Sequence, residues 1–335
     1  MPEYDTMTEW LDRLDHDPLP FLRDSACLPV VFFTKRDLLG ESAGRVQTLW
    51  ASTQAERIFA KQEPDGRWEY PGGGNARIRS TEDYDQLETY RQLGLLVEEY
   101  GLNRTHPVVG KAAQFLFAHQ TEEGDFRGIY GRQYSPNYTA GIMELLVKAG
   151  FGKDKRIRRG FRWLLSMRQE DGGWAIPLRT SPASSRKRWT EVLQSKPIQP
   201  DFSKPFSHLV TGVVLRALAA HESYRESREA QVAGELLSER FFKADSYIDR
   251  KSPEFWGRVS FPFWFTDVVS SLDSLSLLRL SRENSGVQNA LKWLIERQED
   301  DGSFRLKLLR TRDRNLSFWV CLAICRILKR FYGDD

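Results

Sequence analysis

The sequence predicts an all-α fold, one ring of about six helix pairs. Three observations predict it. A short motif recurs four times, as Gln62-Glu-Pro-Asp-Gly-Arg-Trp68, Gln120-Thr-Glu-Glu-Gly-Asp-Phe126, Gln169-Glu-Asp-Gly-Gly-Trp174 and Gln298-Glu-Asp-Asp-Gly-Ser-Phe304. Each copy follows one stretch of helical apolar spacing and precedes another, so the repeating unit is a helix pair. Two shorter helical stretches near the N-terminus supply a further pair, and pairs closed into a ring leave no end to cap.

In chain order, the N-terminal pair is expected at residues 7–14 and 27–39, separated by Asp17-Pro18-Leu19-Pro20. The first helices of the following pairs are expected at 46–61, 108–119, 157–168, 230–242 and 287–297. Their partners are expected at 81–100, 136–149, 205–221, 263–280 and 315–331. In 157–168, Ile157, Phe161, Leu164 and Leu165 recur with the spacing of one apolar helix face. In the motif, Gln sits at a helix end, where its amide is expected to donate to carbonyls without partners. The Asp-Gly or Glu-Gly step turns the chain, with Gly free to take positive φ, and the aromatic residue folds back over the helix end. The helix at 230–242 ends without the motif, and Trp256 reads as the displaced aromatic of a degenerate copy. The organisation expected is a helical segment at 1–43, packed on the ring or completing it, and repeats at 44–335 with a long loop at 175–204.

Composition narrows the function. Apolar residues make up 40% and charged residues 28%, as in a folded globular chain. Ten Trp, 20 Phe and 11 Tyr must line a core, a cavity or a patch. With 49 basic and 46 acidic side chains the net charge is +3, which gives nucleic acid no footprint. The one basic run, Arg186-Lys187-Arg188, reads as a solvated part of the long loop. No apolar stretch approaches the roughly 20 residues that span a bilayer. The acidic N-terminal stretch has no signal-peptide core, and three Cys make no disulfide framework, so a cytoplasmic location is expected.

The Gln-x-x-Asp-Gly-x-Trp pattern after a helix resembles the repeat of squalene cyclases and of protein prenyltransferase β subunits, over roughly residues 44–331. Residues 206–218 and 260–280 look like a prokaryotic group of prenyltransferase/squalene-oxidase repeat proteins. The resemblance implies a single α/α toroid of the terpenoid cyclase/prenyltransferase kind, with motif helices outside and partner helices lining a central cavity. It implies an isoprenoid or isoprenoid diphosphate as ligand, with acid-initiated cyclisation or prenyl transfer as the chemistry.

The catalytic signatures of that superfamily are not reproduced. Cyclases of this type protonate their substrate with an Asp-x-Asp-Asp motif, and none stands here; Glu82-Asp83-Tyr84-Asp85 is the nearest acidic cluster. Asp313-Arg-Asn315-Leu-Ser-Phe-Trp319 resembles the prenyltransferase segment that carries a zinc-binding Cys, but Asn315 stands in its place. Asn supplies no thiolate, so neither a metal nor another cofactor is expected. Cys321 and Cys325 read as small buried residues.

Aligning the starts of the second helices gives Asp83-Tyr84-Asp85, Asn137-Tyr138-Thr139, Ser207-His208-Leu209, Thr266-Asp267-Val268 and Ser317-Phe318-Trp319. Asp267, flanked by Phe263, Trp264 and Phe265, is the candidate proton donor, with His208 as a second catalytic candidate. Asp83, Tyr84, Tyr138, Trp264, Phe318 and Trp319 are the candidate cavity lining. Helix capping and core packing are the alternative roles for the same residues. The loop at 175–204, with its Arg and Lys side chains, reads as a lid or as surface. The functions to separate are an isoprenoid-active enzyme, a non-catalytic binder of an apolar molecule, and a carbohydrate-active barrel with paired carboxylates. A partner subunit or peripheral membrane contact is left open.

Overall fold

The computed structural model describes residues 9–72, 81–181, 189–248, 250–309 and 313–333. The expected helix start at Met7 and the basic run Arg186–Arg188 lie outside them. The chain divides into two units, residues 47–224, and residues 1–46 with 225–335.

The unit of residues 47–224 holds α1 (Thr53–Phe59), α2 (Thr81–Tyr100), α3 (Pro107–Ala118), α4 (Pro136–Leu146), α5 (Lys155–Ser166) and α6 (His208–Ala220). α1, α3 and α5 end in motif copies, and α2, α4 and α6 follow them. Ile157, Phe161 and Leu164 of α5 are fully buried, as their spacing predicts. α4 and α6 are buried along nearly their whole length and pack on one another. They carry Gly, Ala and β-branched residues at many positions, which lets helices approach closely.

The other unit holds α7 (Arg228–Ser238), α8 (Val268–Leu277), α9 (Ser285–Ile295) and α10 (Leu316–Tyr332), with short N-terminal helices at Leu19–Arg23 and Leu28–Phe33. Both short helices pack against α10. Leu19–Arg23 lies where Pro18 and Pro20 suggested a break; proline is tolerated in a first helical turn, whose N–H groups have no intrahelical partner. Asp17 Oδ1 accepts from Leu19 N at 2.8 Å there. Two-residue strands, Arg258–Val259 and Lys307–Leu308, pair in parallel.

Side-chain caps set the helix starts. The helices expected from 205 and 263 begin at His208 and Val268, because Ser207 and Asp267 cap them from extended backbone. Ser135, Asp154, Ser227 and Asn284 cap α4, α5, α7 and α9 in the same manner. Among the described residues, no helix is long and apolar enough to cross a membrane.

Candidate functional site

The repeat motif is a clasp with three separate bonds, which the structure distributes differently from the expectation. The Gln amide does not serve its own helix end. Gln62 Nε2 donates to Gly66 O at 3.0 Å and to Val108 O, in the first turn of α3, at 2.9 Å. Gln120 Nε2 donates to Gly124 O at 2.8 Å and to Arg156 O, in the first turn of α5, at 2.9 Å. The helix-end carbonyls are served by the indoles: Trp68 Nε1 donates to Ile58 O at 2.8 Å and Trp174 Nε1 to Leu164 O at 2.6 Å. A threonine hydroxyl of the following helix then receives the backbone N–H of the aromatic residue. Trp68 N donates to Thr89 Oγ1 at 3.0 Å, Phe126 N to Thr139 Oγ1 at 2.9 Å and Trp174 N to Thr211 Oγ1 at 2.8 Å.

These bonds correct two alignments. In the third copy the residue in the Gln register is Arg168, not Gln169. Arg168 Nε donates to Gly172 O at 2.8 Å, the role of Gln62 towards Gly66. Gln169 N bonds Gly173 O as Glu63, Thr121 and Glu299 bond the equivalent carbonyls. The side chain of Gln169 donates instead to Asp201 O and Lys204 O, at 2.8 and 2.9 Å, and so ties down the end of the 175–204 loop. The second correction concerns the helix starts. With Thr89, Thr139 and Thr211 in register, the residues four positions earlier are Asp85, Ser135 and Ser207. Tyr84, Tyr138 and His208 then fall at three different heights, because the helices begin at different distances from their clasps.

In the other unit, Gln298 and Phe304 form the fourth copy. Gln298 Nε2 donates to His16 O at 2.7 Å, and His16 N donates back to Gln298 Oε1 at 3.0 Å. The N-terminal segment thus stands towards this clasp as the next motif helix stands towards Gln62 and Gln120. Trp256 is the aromatic of the degenerate copy, fully buried, its Nε1 donating to Lys243 O at 3.0 Å.

The candidate site residues are placed as follows in the unit of residues 47–224. Tyr84 lies against Tyr70, ring centroids 5.0 Å apart. Tyr138 is buried on α4 with the ring of Tyr90 at 6.1 Å. Burial and the Tyr90 and Asp83 charges hold the Tyr138 phenol well above its usual range. Burial likewise pushes Tyr90 up to about 12. His208 is buried as the first residue of α6. Beyond Tyr90 lies a buried ion pair that the sequence did not single out: Arg216 Nε donates to Glu144 Oε2 at 2.9 Å, and Lys148 Nζ reaches Glu144 at 2.8 Å and Glu98 at 2.6 Å. Burial raises the pKa of Glu144, but Arg216 and Lys148 together bring it below the usual carboxylate value.

In the other unit Asp267 is fully buried and caps α8. Its Oδ1 accepts from Ser270 N at 2.8 Å, and Asp267 N donates to Ser270 Oγ at 2.9 Å, closing a capping box. Burial lowers the pKa of Arg250, and Asp267 acts against that. Arg250 itself lies over the ring of Phe265. Trp264 is half-buried. Trp319 stacks on Phe261, centroids 5.1 Å apart, while Phe318 packs on Phe21 at 4.6 Å. Phe318 lines an open concavity of about 700 Å³ with Asp15, Asp17, Asp24, Asp300 and Asp301. Asp313 Oδ1 accepts from Asn315 N at 2.8 Å.

The family model for the squalene-hopene cyclase C-terminal domain matches residues 81–181 and 149–315, most of the chain. The chain belongs to this family. The family resemblance read from the four motifs is borne out, together with its all-α class. Among solved structures, the chain is similar to the type II terpene cyclase MstE from Scytonema, with 13% identity, 84% of each chain covered and a TM-score of 0.41. It is similar also to an arginine-to-alanine variant of MstE in complex with its substrate geranylgeranyl dihydroxybenzoate, with 14% identity, coverage of 86% and 85%, and a TM-score of 0.43. A polysaccharide lyase aligns at 9% identity over 97% of this chain and 96% of its own, with a TM-score of 0.45. No curated protein matches the sequence.

Sequence reasoning missed Arg168, the three threonine hydroxyls and Gln86, which is buried beside Tyr138. One signal was available: Ser135 and Ser207 each precede a Thr by four residues, a cap followed by the clasp hydroxyl.

Proposed function

We propose that this member of the squalene-hopene cyclase family holds a linear, apolar isoprenoid and does not cyclise it. The ligand class follows from the family, whose namesake acts on squalene, and from the aromatic side chains buried on the second helices. The observation that carries the second half is the state of Asp267. Its carboxylate accepts a backbone N–H at a helix N-terminus and supports a nearby arginine. Those are structural roles at the start of α8, and an acid that starts cyclisation must present its proton to the ligand. The aromatic surroundings that recommended Asp267 as a donor are therefore offset by the helix that it caps. His208, buried as the first residue of α6 beside the cap Ser207, is read as a packing residue.

The test is native mass spectrometry of the purified protein after incubation with squalene, geranylgeraniol and geranylgeranyl diphosphate, followed by extraction and chromatography of the retained molecule. The reading expects one isoprenoid retained per chain and recovered unchanged. Failure to retain any of the three overturns it.

A further inference from the structure

Two polar atoms beside the α2–α4 contact are buried without a hydrogen-bond partner among the described residues. Among the described residues, the Tyr138 hydroxyl on α4 and Gln86 Oε1 on α2 each have no hydrogen-bond partner, in residues 7% and 3% exposed. They are neighbours. Gly128 adopts φ +50°, and a Cβ there would stand 2.1 Å from Tyr138 Cε1 and 2.9 Å from Gln86 Oε1. The absent side chain of Gly128 leaves room for the phenol ring and the amide oxygen to approach the same point beside the Gly128–Tyr130 turn. Burying a donor and an acceptor unpaired is costly, and a fold retains such a pair when something else satisfies it.

We infer that Tyr138 and Gln86 form a subsite for a single hydroxyl group, the alcohol end of an isoprenoid. This rests on the isoprenoid reading above and adds the chemistry of the ligand's head. A hydroxyl accepts from the Tyr138 O–H and donates to Gln86 Oε1, satisfying both atoms at once. A hydrocarbon satisfies neither. A diphosphate satisfies only the phenol and sets its oxygens against the amide oxygen. The charge of Asp83 also acts on Tyr138 more strongly than that of Arg91, which disfavours an anionic head further.

The experiment compares dissociation constants of the full-length protein for geranylgeraniol, the matching hydrocarbon without its hydroxyl, and geranylgeranyl diphosphate, in wild type, Tyr138→Phe and Gln86→Met. The expected result is a wild-type preference for the alcohol over the hydrocarbon of roughly 5- to 50-fold, the range for one buried hydrogen-bonded group. Either substitution brings that ratio close to one and leaves hydrocarbon affinity unchanged. The melting temperature of unliganded Tyr138→Phe stays level or rises, since the substitution removes an unpaired buried hydroxyl; a purely structural role for that hydroxyl predicts a fall. Equal wild-type affinity for alcohol and hydrocarbon means that the pair holds water only and overturns this subsite, while leaving the isoprenoid reading in place. Tightest binding of the diphosphate, indifferent to Gln86→Met, also overturns it. Binding of none of the three overturns the isoprenoid reading and the subsite with it.

Discussion

At the residue scale, the clasp assigns separate donors to separate carbonyls, and each can be removed alone. Trp174→Phe deletes the N–H that bonds Leu164 O, a carbonyl that keeps the Met167 N–H at 3.1 Å, and trims a fully buried indole to a smaller ring. The expected cost, lost hydrogen bond and lost packing together, is about 1–3 kcal/mol, read from urea unfolding. Phe126 and Phe304 hold the same motif position without that donor, so Phe126→Leu should cost only packing.

The buried Glu144–Arg216 pair makes a different prediction. The folded pKa of Glu144 lies below the usual value near 4.5. Its contribution is therefore complete above that pH and is lost as pH falls through the depressed value. Glu144→Gln removes the buried carboxylate that Arg216 and Lys148 share and should cost roughly 3–5 kcal/mol at neutral pH. It should also flatten this part of the stability–pH profile below about pH 4.5. An unchanged profile in the variant would show that the pair is not the source.

At the element scale, Gln120 links α3 to α5, since one amide bonds the turn after α3 and the first turn of α5. Gln120→Leu should speed amide exchange in the first turn of α5 and leave α4 and α6 protected. Gln133 does the same for the long loop. It is buried, its Nε2 donates to Val192 O at 2.6 Å, and Ile198 N donates to its Oε1 at 2.9 Å. The described end of the loop, with its helix at Trp189–Gln194, is pinned on this side and by Gln169 on the other. Gln133→Leu should raise exchange and proteolysis at 192–198 selectively; uniform exchange across the unit would contradict the pinning.

Helix existence was legible in the sequence because the motif punctuates it and the apolar spacing of α5 is strong. Helix starts were less so, because Ser207 and Asp267 take over as caps a few residues inside the apolar runs. The bond pattern of the motif was not legible at all. A Gln at a helix end looks equally able to serve its own carbonyls or a neighbour's, and only packing decides. The one-residue shift that puts Arg168 in the Gln register is hidden by Gln169 standing next to it.

At the scale of the whole molecule, the chain belongs to the squalene-hopene cyclase family over most of its length, and its sequence carries no Asp-x-Asp-Asp motif. The absent Asp-x-Asp-Asp motif and the Asn315 substitution were read there, whereas the commitment of Asp267 to a capping box needed the structure, since the same carboxylate between aromatic residues reads as a donor until its partners are seen. The central claim is that this carboxylate holds a helix and does not give up a proton. The most direct test is gas chromatography with mass detection of squalene and geranylgeraniol recovered after long incubation with wild type and with Asp267→Asn. The account predicts unaltered starting material from both proteins, with Asp267→Asn lowering only stability. A cyclised isomer formed by wild type and lost in Asp267→Asn would contradict it.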